Sequence, residues 1–265
     1  MTPSNEKRLL SILNASEIRV TPRDLAIKLA LESCITNREA RRVLKRLVTD
    51  GEIAYSYDFG ATHVEPSFSR PVQITDHFVI TPWSSRKDGD QTLEIVIAPG
   101  ISFGSGRHPT TRLCLEAIDQ TLLTTNGPAF PRRAADVGTG SGVLALALVR
   151  AGCDSCLALD TDLNCVSETQ RNVALNRLQH RIEVTNELLD ISHGPFDLVC
   201  ANLRYPTLKQ LSQLFYEITQ PQALVILSGV RTWELNDLTD TYTHLGFTCT
   251  WTRNEKGWSA AVFKK

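Results

Sequence analysis

No apolar run in this sequence approaches the ~20 residues that a membrane-spanning helix needs. The longest candidate, VLALALV at 143–149, is far too short. The opening residues, Met1 to Arg8, are polar and lack the apolar stretch of a secretory leader. Neither charge sign is in excess, with 28 Lys and Arg against 29 Asp and Glu, so an ordinary soluble globular protein is expected. Cys34, Cys114, Cys153, Cys156, Cys165, Cys200 and Cys249 are odd in number and scattered, unlike a disulfide framework, and a reducing cytoplasm is the expected setting. Cys153 and Cys156 form a CxxC with no second pair or nearby histidine, so small residues at the start of a strand are expected there, and no metal site. A Walker phosphate loop is missing too. In ISFGSGRHPTT, residues 101–111, Gly106 is followed by Arg107, His108 and Pro109, where that loop requires lysine and a hydroxyl.

What is present fits one sizeable core plus a smaller module in 265 residues. Thr21 with Pro22 offers a helix start, and Thr36 to Glu39 is a capping box for a second. In that second helix Ala40, Val43, Leu44 and Leu47 recur at helical steps, while Arg38, Arg41, Arg42, Lys45 and Arg46 lie largely off the stripe. Gly51 stops it, and two short strands follow around Asp58-Phe59-Gly60. Helix, helix, basic helix, hairpin is the order of a winged helix, expected over 1–66. The basic helix is a candidate nucleic-acid contact. The other reading is a solvated face on a protein-docking module, since Met1 to Gly60 carries ten basic against eight acidic side chains. Pro66 and Pro71 mark a boundary before a β-rich linker at 67–100, where HFVITPW and TLEIVIAPG read as strands.

From 101 to 265, after a helix near Thr110–Leu123, short apolar strands alternate with amphipathic helices. That pattern predicts an α/β fold whose mostly parallel sheet is covered on both faces. TCTWTRNEKGWSAAVFK reads instead as two strands around a tight turn, so the sheet ends in an antiparallel hairpin. Ligands of such sheets bind beyond the carboxyl ends of the strands.

The chemistry centres on AADVGTGSGVLALA. A strand ends at Asp136-Val137, Gly138, Gly140 and Gly142 form the turn, and a helix starts at once. Dinucleotide enzymes space these glycines as G-x-G-x-x-G. Here the spacing is G-x-G-x-G behind an acid, which shifts the ligand from a pyrophosphate toward S-adenosylmethionine. Asp160, at the end of the next strand, suits the two hydroxyls of a ribose. The bland alternative, a helix cap, is better filled by Asp162. Asn202, closing the strand FDLVCAN, could orient an incoming amine or serve as a turn residue.

Six ordered stretches, ISFGSGRHPTT, DVGTGSGVLALA, ALDTD, FDLVCANL, LSGV and GWSAAVFKK, are together similar to the methyltransferase family that modifies ribosomal protein L11. The match runs from about Ser69 to Lys265. The resemblance implies a class I, Rossmann-like methyltransferase fold. It also implies S-adenosylmethionine held at Thr111, Asp136, Gly138, Gly140, Gly142, Asp160 and Asn202. The 101–111 loop would fold over the cofactor, with Phe103 and His108 as substrate-channel candidates; a capping role for His108 stays open, and Tyr205, at the lip beyond Asn202, is a third channel candidate. Ser105 and Arg107 replace two threonines of the family's loop, and ANLRYP departs from its ANI. The family's amino-terminal α/β module is replaced by the winged-helix-like segment. The expected function is methylation of an amine, a lysine or an amino terminus, on a protein. The alternatives are a nucleic-acid or small-molecule acceptor reached through the amino-terminal module, and a non-catalytic S-adenosylmethionine sensor.

Overall fold

Threonine hydroxyls start two helices near the amino terminus of the chain, whose computed structural model describes residues 4–16, 20–58, 60–67, 70–83, 93–98, 106, 108–124 and 132–265. The chain divides into two units, Met1–Val72 and Gln73–Lys265. The first holds α1 (Asn5–Asn14), α2 (Pro22–Ser33), α3 (Asn37–Thr49), β1 (Ile53–Asp58) and β2 (Ala61–Pro66). Thr21 Oγ1 accepts from the Asp24 amide at 3.2 Å. At α3 the capping box is complete: Thr36 Oγ1 accepts from the Glu39 amide at 3.2 Å, and Glu39 Oε2 accepts from the Thr36 amide at 2.8 Å. Ala40, Leu44 and Leu47 of α3 join Leu9, Leu13, Leu25 and Leu29 in a core closed by Ile53 and Val64 from the antiparallel β1–β2 pair.

β3 (Val72–Gln73), β4 (Phe78–Pro82) and β5 (Leu93–Ile97) form a three-stranded sheet in that order. α4 (Pro109–Ile118) follows and runs into a wider π-type turn, Asp119–Thr124. Then come β6 (Arg133–Val137), α5 (Val143–Arg150), β7 (Ser155–Leu159), α6 (Leu163–Leu175), β8 (Ile182–Thr185), β9 (Phe196–Asn202), α7 (Tyr205–Ile218), β10 (Thr219–Arg231), α8 (Leu235–His244), β11 (Thr248–Glu255) and β12 (Trp258–Lys264).

Seven of these strands make one sheet in the order β11-β12-β10-β9-β6-β7-β8. β6 to β10 pair in parallel, and β12 runs antiparallel to both β10 and β11. β9 shows why its run FDLVCAN is apolar almost throughout. Leu198 and Cys200 enter the core shared with α4 and α5, while Val199 and Ala201 enter the opposite core with Leu208 and Phe215 of α7 and Tyr242 of α8. Successive side chains of a strand point to opposite faces, and here both faces are dry. The strand order reverses between β6 and β9, which opens a crevice at their carboxyl ends.

Candidate functional site

The turn after β6 is held shut by its own neighbours. The amides of Gly138 and Thr139 both donate to Leu159 O at 2.9 Å, that of Gly140 to Asp160 Oδ2 at 2.9 Å, and that of Gly142 to Thr139 O at 2.9 Å. These amides are therefore spent and cannot cradle a phosphate. The first turn of α5 is occupied as well: Asp136 Oδ2 accepts from the Ala145 amide at 3.0 Å and from the Thr139 hydroxyl at 2.7 Å. A protein carboxylate thus sits where a helix N-terminus would otherwise attract a bound anion. Asp136 is fully buried, and that burial pushes its carboxyl up to about 6. It lies beneath the loop and does not line the cavity described next.

That cavity, of about 690 Å³, lies at the carboxyl ends of β6, β7 and β9, a volume typical of small-molecule sites. Gly138, Gly140, Asp160 and Asn202 line it. Only glycine fits at 138, because φ is +73° and a Cβ would come within 2.4 Å of Leu203 Cδ2. At Gly142, the N-cap of α5, a Cβ would lie 2.8 Å from Thr169 Cγ2; this glycine shapes the turn without lining the cavity.

Asp160 Oδ1 accepts from the Asp162 amide at 3.0 Å while Oδ2 takes the Gly140 amide, so the carboxylate is fixed and keeps further lone pairs for a ligand. Asp162 caps α6 through the Asn164 amide, which leaves Asp160 free of that duty. Asn202 closes β9 opposite Ser228 of β10, and its Oδ1 is buried without a hydrogen-bond partner among the described residues. The Thr111 hydroxyl, one turn inside α4, is buried and likewise unpartnered among the described residues.

His108 is both cap and wall. It precedes α4, its Nδ1 accepts from the Thr110 amide at 3.3 Å, and it lines the cavity edge-on to Trp258 with ring centroids 4.8 Å apart. Tyr205 does not line the cavity: at the first turn of α7 its hydroxyl donates to Asp237 of α8. Its neighbour Arg204 does line it. Phe103 lies outside the described residues.

Sequence reasoning missed Leu188 and Leu189, which follow β8 and give the cavity an apolar wall, and Trp258. Trp258 is present because β12 is reversed. Its first residue stands at the edge where the parallel strands have their last, paired with Arg231, whose guanidinium lies 3.7 Å from the indole centroid. The only available signal was the turn before GWSAAVFKK. Elsewhere, burial pushes the Cys153 thiol up to about 12 and raises that of Cys156, so neither is a thiolate near neutral pH. No cluster able to hold a metal occurs among the described residues.

A family model described as ribosomal protein L11 methyltransferase (PrmA) matches residues 61–265. Ribosomal protein L11 methyltransferases of Geotalea daltonii and Exiguobacterium sibiricum are each 33% identical to the chain, over 198 and 205 residues, covering 72% and 77% of it. The chain spans 63% of the length of each of these curated relatives, less than two thirds. A crystal structure of ribosomal protein L11 methylase from Lactobacillus delbrueckii subsp. bulgaricus superposes with a TM-score of 0.64 at 26% identity, covering 73% of this chain and 97% of that one. A T. thermophilus 16S rRNA N2 methyltransferase, solved with AdoMet and guanosine, shares the fold at 15% identity and a TM-score of 0.51, covering 80% of this chain and 50% of that one.

Proposed function

The chain belongs to the ribosomal protein L11 methyltransferase family, and from that premise we propose that it methylates an amine on a protein substrate, using S-adenosylmethionine. The observation that carries this reading is the Asn202 amide oxygen, buried at the cavity wall with no partner among the described residues. A buried acceptor left unpaired is costly unless a ligand supplies the donor. The residues fit the cofactor. Asp160 offers lone pairs to a vicinal diol, and Leu188 and Leu189 offer an apolar wall to a flat ring. The Gly138 turn allows close approach of a ligand with no phosphate to place. Bound there, the cofactor supplies an electrophilic methyl group.

What remains for the protein is to position the acceptor and keep water out. A lysine acceptor must first lose a proton, which costs about 4–5 kcal/mol at neutral pH for a group with a pKa of about 10.4. An apolar channel lowers that cost by disfavouring the ammonium form. Asn202 Oδ1 accepts a hydrogen from the resulting amine and so directs its lone pair. Trp258 and His108, edge to face, wall the cavity. Thr111, whose hydroxyl is buried without a partner among the described residues, is a further cofactor contact in this reading. The substrate is ribosomal protein L11 or a similar ribosomal protein, as the relatives' names suggest. We read the first unit as a winged-helix-like docking module with a β-rich linker after it, and the enzyme as cytoplasmic.

The test is incubation of the full chain with methyl-labelled S-adenosylmethionine and separated ribosomal proteins and ribosomal RNA. Label in a protein band, retained after ribonuclease and removed by protease, is the expected result. Label confined to RNA moves the acceptor to nucleic acid. Tight cofactor binding with no labelled fraction at all leaves a sensor.

A further inference from the structure

The near-neutral sum of charges in the first unit hides a segregated arrangement. On α3, Arg38, Arg41, Arg42 and Lys45 stand at helical steps of three and four, all exposed. Among the described residues, these four and Asn37 line a concave patch of about 450 Å³. None of the four forms a salt bridge among the described residues. Among the described residues four acids of this unit pair with other cations, and Arg42 is the member of the set that an acid of its own helix, Glu39, attracts. Glu6 and Asp50 pair with Arg46 at 3.2 and 4.0 Å, Glu32 pairs with Arg8 at 3.5 Å, and Glu52 pairs with Arg70 at 2.5 Å. Glu39, on α3 itself, turns its carboxylate to the Thr36 amide and hydroxyl, both at 2.8 Å.

This placement works against the helix. Like charges three and four residues apart repel. Arg38, in the first turn, also opposes the helix dipole, which prefers acids there. An ordinary solvated face would alternate signs and gain from both effects. The arrangement is relieved by one kind of partner, a polyanion lying along the patch.

We infer that the Arg38–Arg41–Arg42–Lys45 face of α3 is a docking surface for the phosphodiester backbone of duplex nucleic acid. Three of the four cations are arginines, whose planar forks hydrogen-bond phosphate oxygens in pairs. Among the described residues no aromatic side chain lines the patch, so they supply no stacking platform of the kind single strands need. Nor do the described lining residues form the apolar or aromatic centre of a protein interface. The surface lies outside the matched residues 61–265, and the inference stands independently of the methyl-transfer reading.

The experiment is a titration of the full chain with duplex RNA and duplex DNA of mixed sequence at several salt concentrations, with calorimetry of S-adenosylmethionine binding alongside. Four phosphate contacts give a slope of log affinity against log salt of about −3 to −4, so a rise from 50 to 200 mM salt weakens binding about a hundredfold. The double variant Arg41→Gln/Arg42→Gln, which keeps good helix formers, reduces that slope by about 2. Lys28→Gln, an exposed charge on α2, leaves it nearly unchanged. An unchanged unfolding midpoint shows that the variants fold. Duplex affinity that does not respond to salt, or a double variant that binds as tightly as the parent, overturns the inference. Equal affinity for polyglutamate also overturns it, by showing a general acid-binding face.

Discussion

Asp160 and Asn202 line the same cavity, and their roles separate by what each should lose. Replacing Asp160 with alanine removes the proposed partner of two hydroxyls and also frees the Gly140 and Asp162 amides. Charge-assisted hydrogen bonds contribute about 1.5–3 kcal/mol each, so S-adenosylmethionine affinity should fall by about a hundredfold or more in calorimetry. Asn202→Ala should behave differently. If its oxygen orients only the acceptor, cofactor affinity should change by less than about threefold, while kcat falls by about 10²–10³, the loss typical of one preorganised polar contact. A matched loss of cofactor affinity would show instead that Asn202 holds the cofactor. Asp136 belongs to neither class. Its Oδ2 accepts from both the Thr139 hydroxyl and the Ala145 amide, which ties it to the turn beneath the cavity.

At the scale of elements, the close passage of β10 behind the end of β9 rests on one missing side chain. A Cβ at Gly229 would lie 2.1 Å from the Leu203 carbonyl oxygen, which is backbone and has no room to yield, and φ there is +91°. Gly257, in the β11–β12 turn, has φ +79° and nothing within 4 Å of the same position. Gly257→Ala should therefore cost only the backbone strain, about 1 kcal/mol in denaturant unfolding, and Gly229→Ala several times that. The contrast also marks what the sequence could tell. The glycine turn, Asp160 and the ends of β6, β7 and β9 were legible, because each is set by neighbours within a few residues. Helix α7 begins at Tyr205, since Pro206 suits a first turn. β10 spans Thr219–Arg231, longer than its apolar run, its polar start taken up by irregular pairing with β9. Tyr205 was expected at the channel, yet its partner Asp237 comes from a helix 32 residues away. Trp258 was missed for a similar reason: spacing along the chain does not reveal that β12 inserts between β10 and β11.

Across the whole molecule, Asp136 leaves a signature in the pH dependence of stability. Burial raises its carboxyl from 3.8 to about 6, so between those values the folded chain holds a proton that the unfolded chain has released. Stability should then be greatest below about pH 4, fall by roughly 3 kcal/mol by pH 6, and be level above that. Other carboxylates superimpose their own slopes, so the measurement is the difference in unfolding free energy between the parent and Asp136→Asn. A flat difference over that range would show that the carboxyl is not displaced. The sheet itself carries one more implication. β6 and β9 lie side by side with Ala134 against Leu198, a seam between strands laid down far apart in the chain. Gly138 and Asp160 stand on one bank of that seam, Asn202 and Gly229 on the other. A small molecule seated there is a rivet, and deuterium uptake should slow on both banks together when it is added.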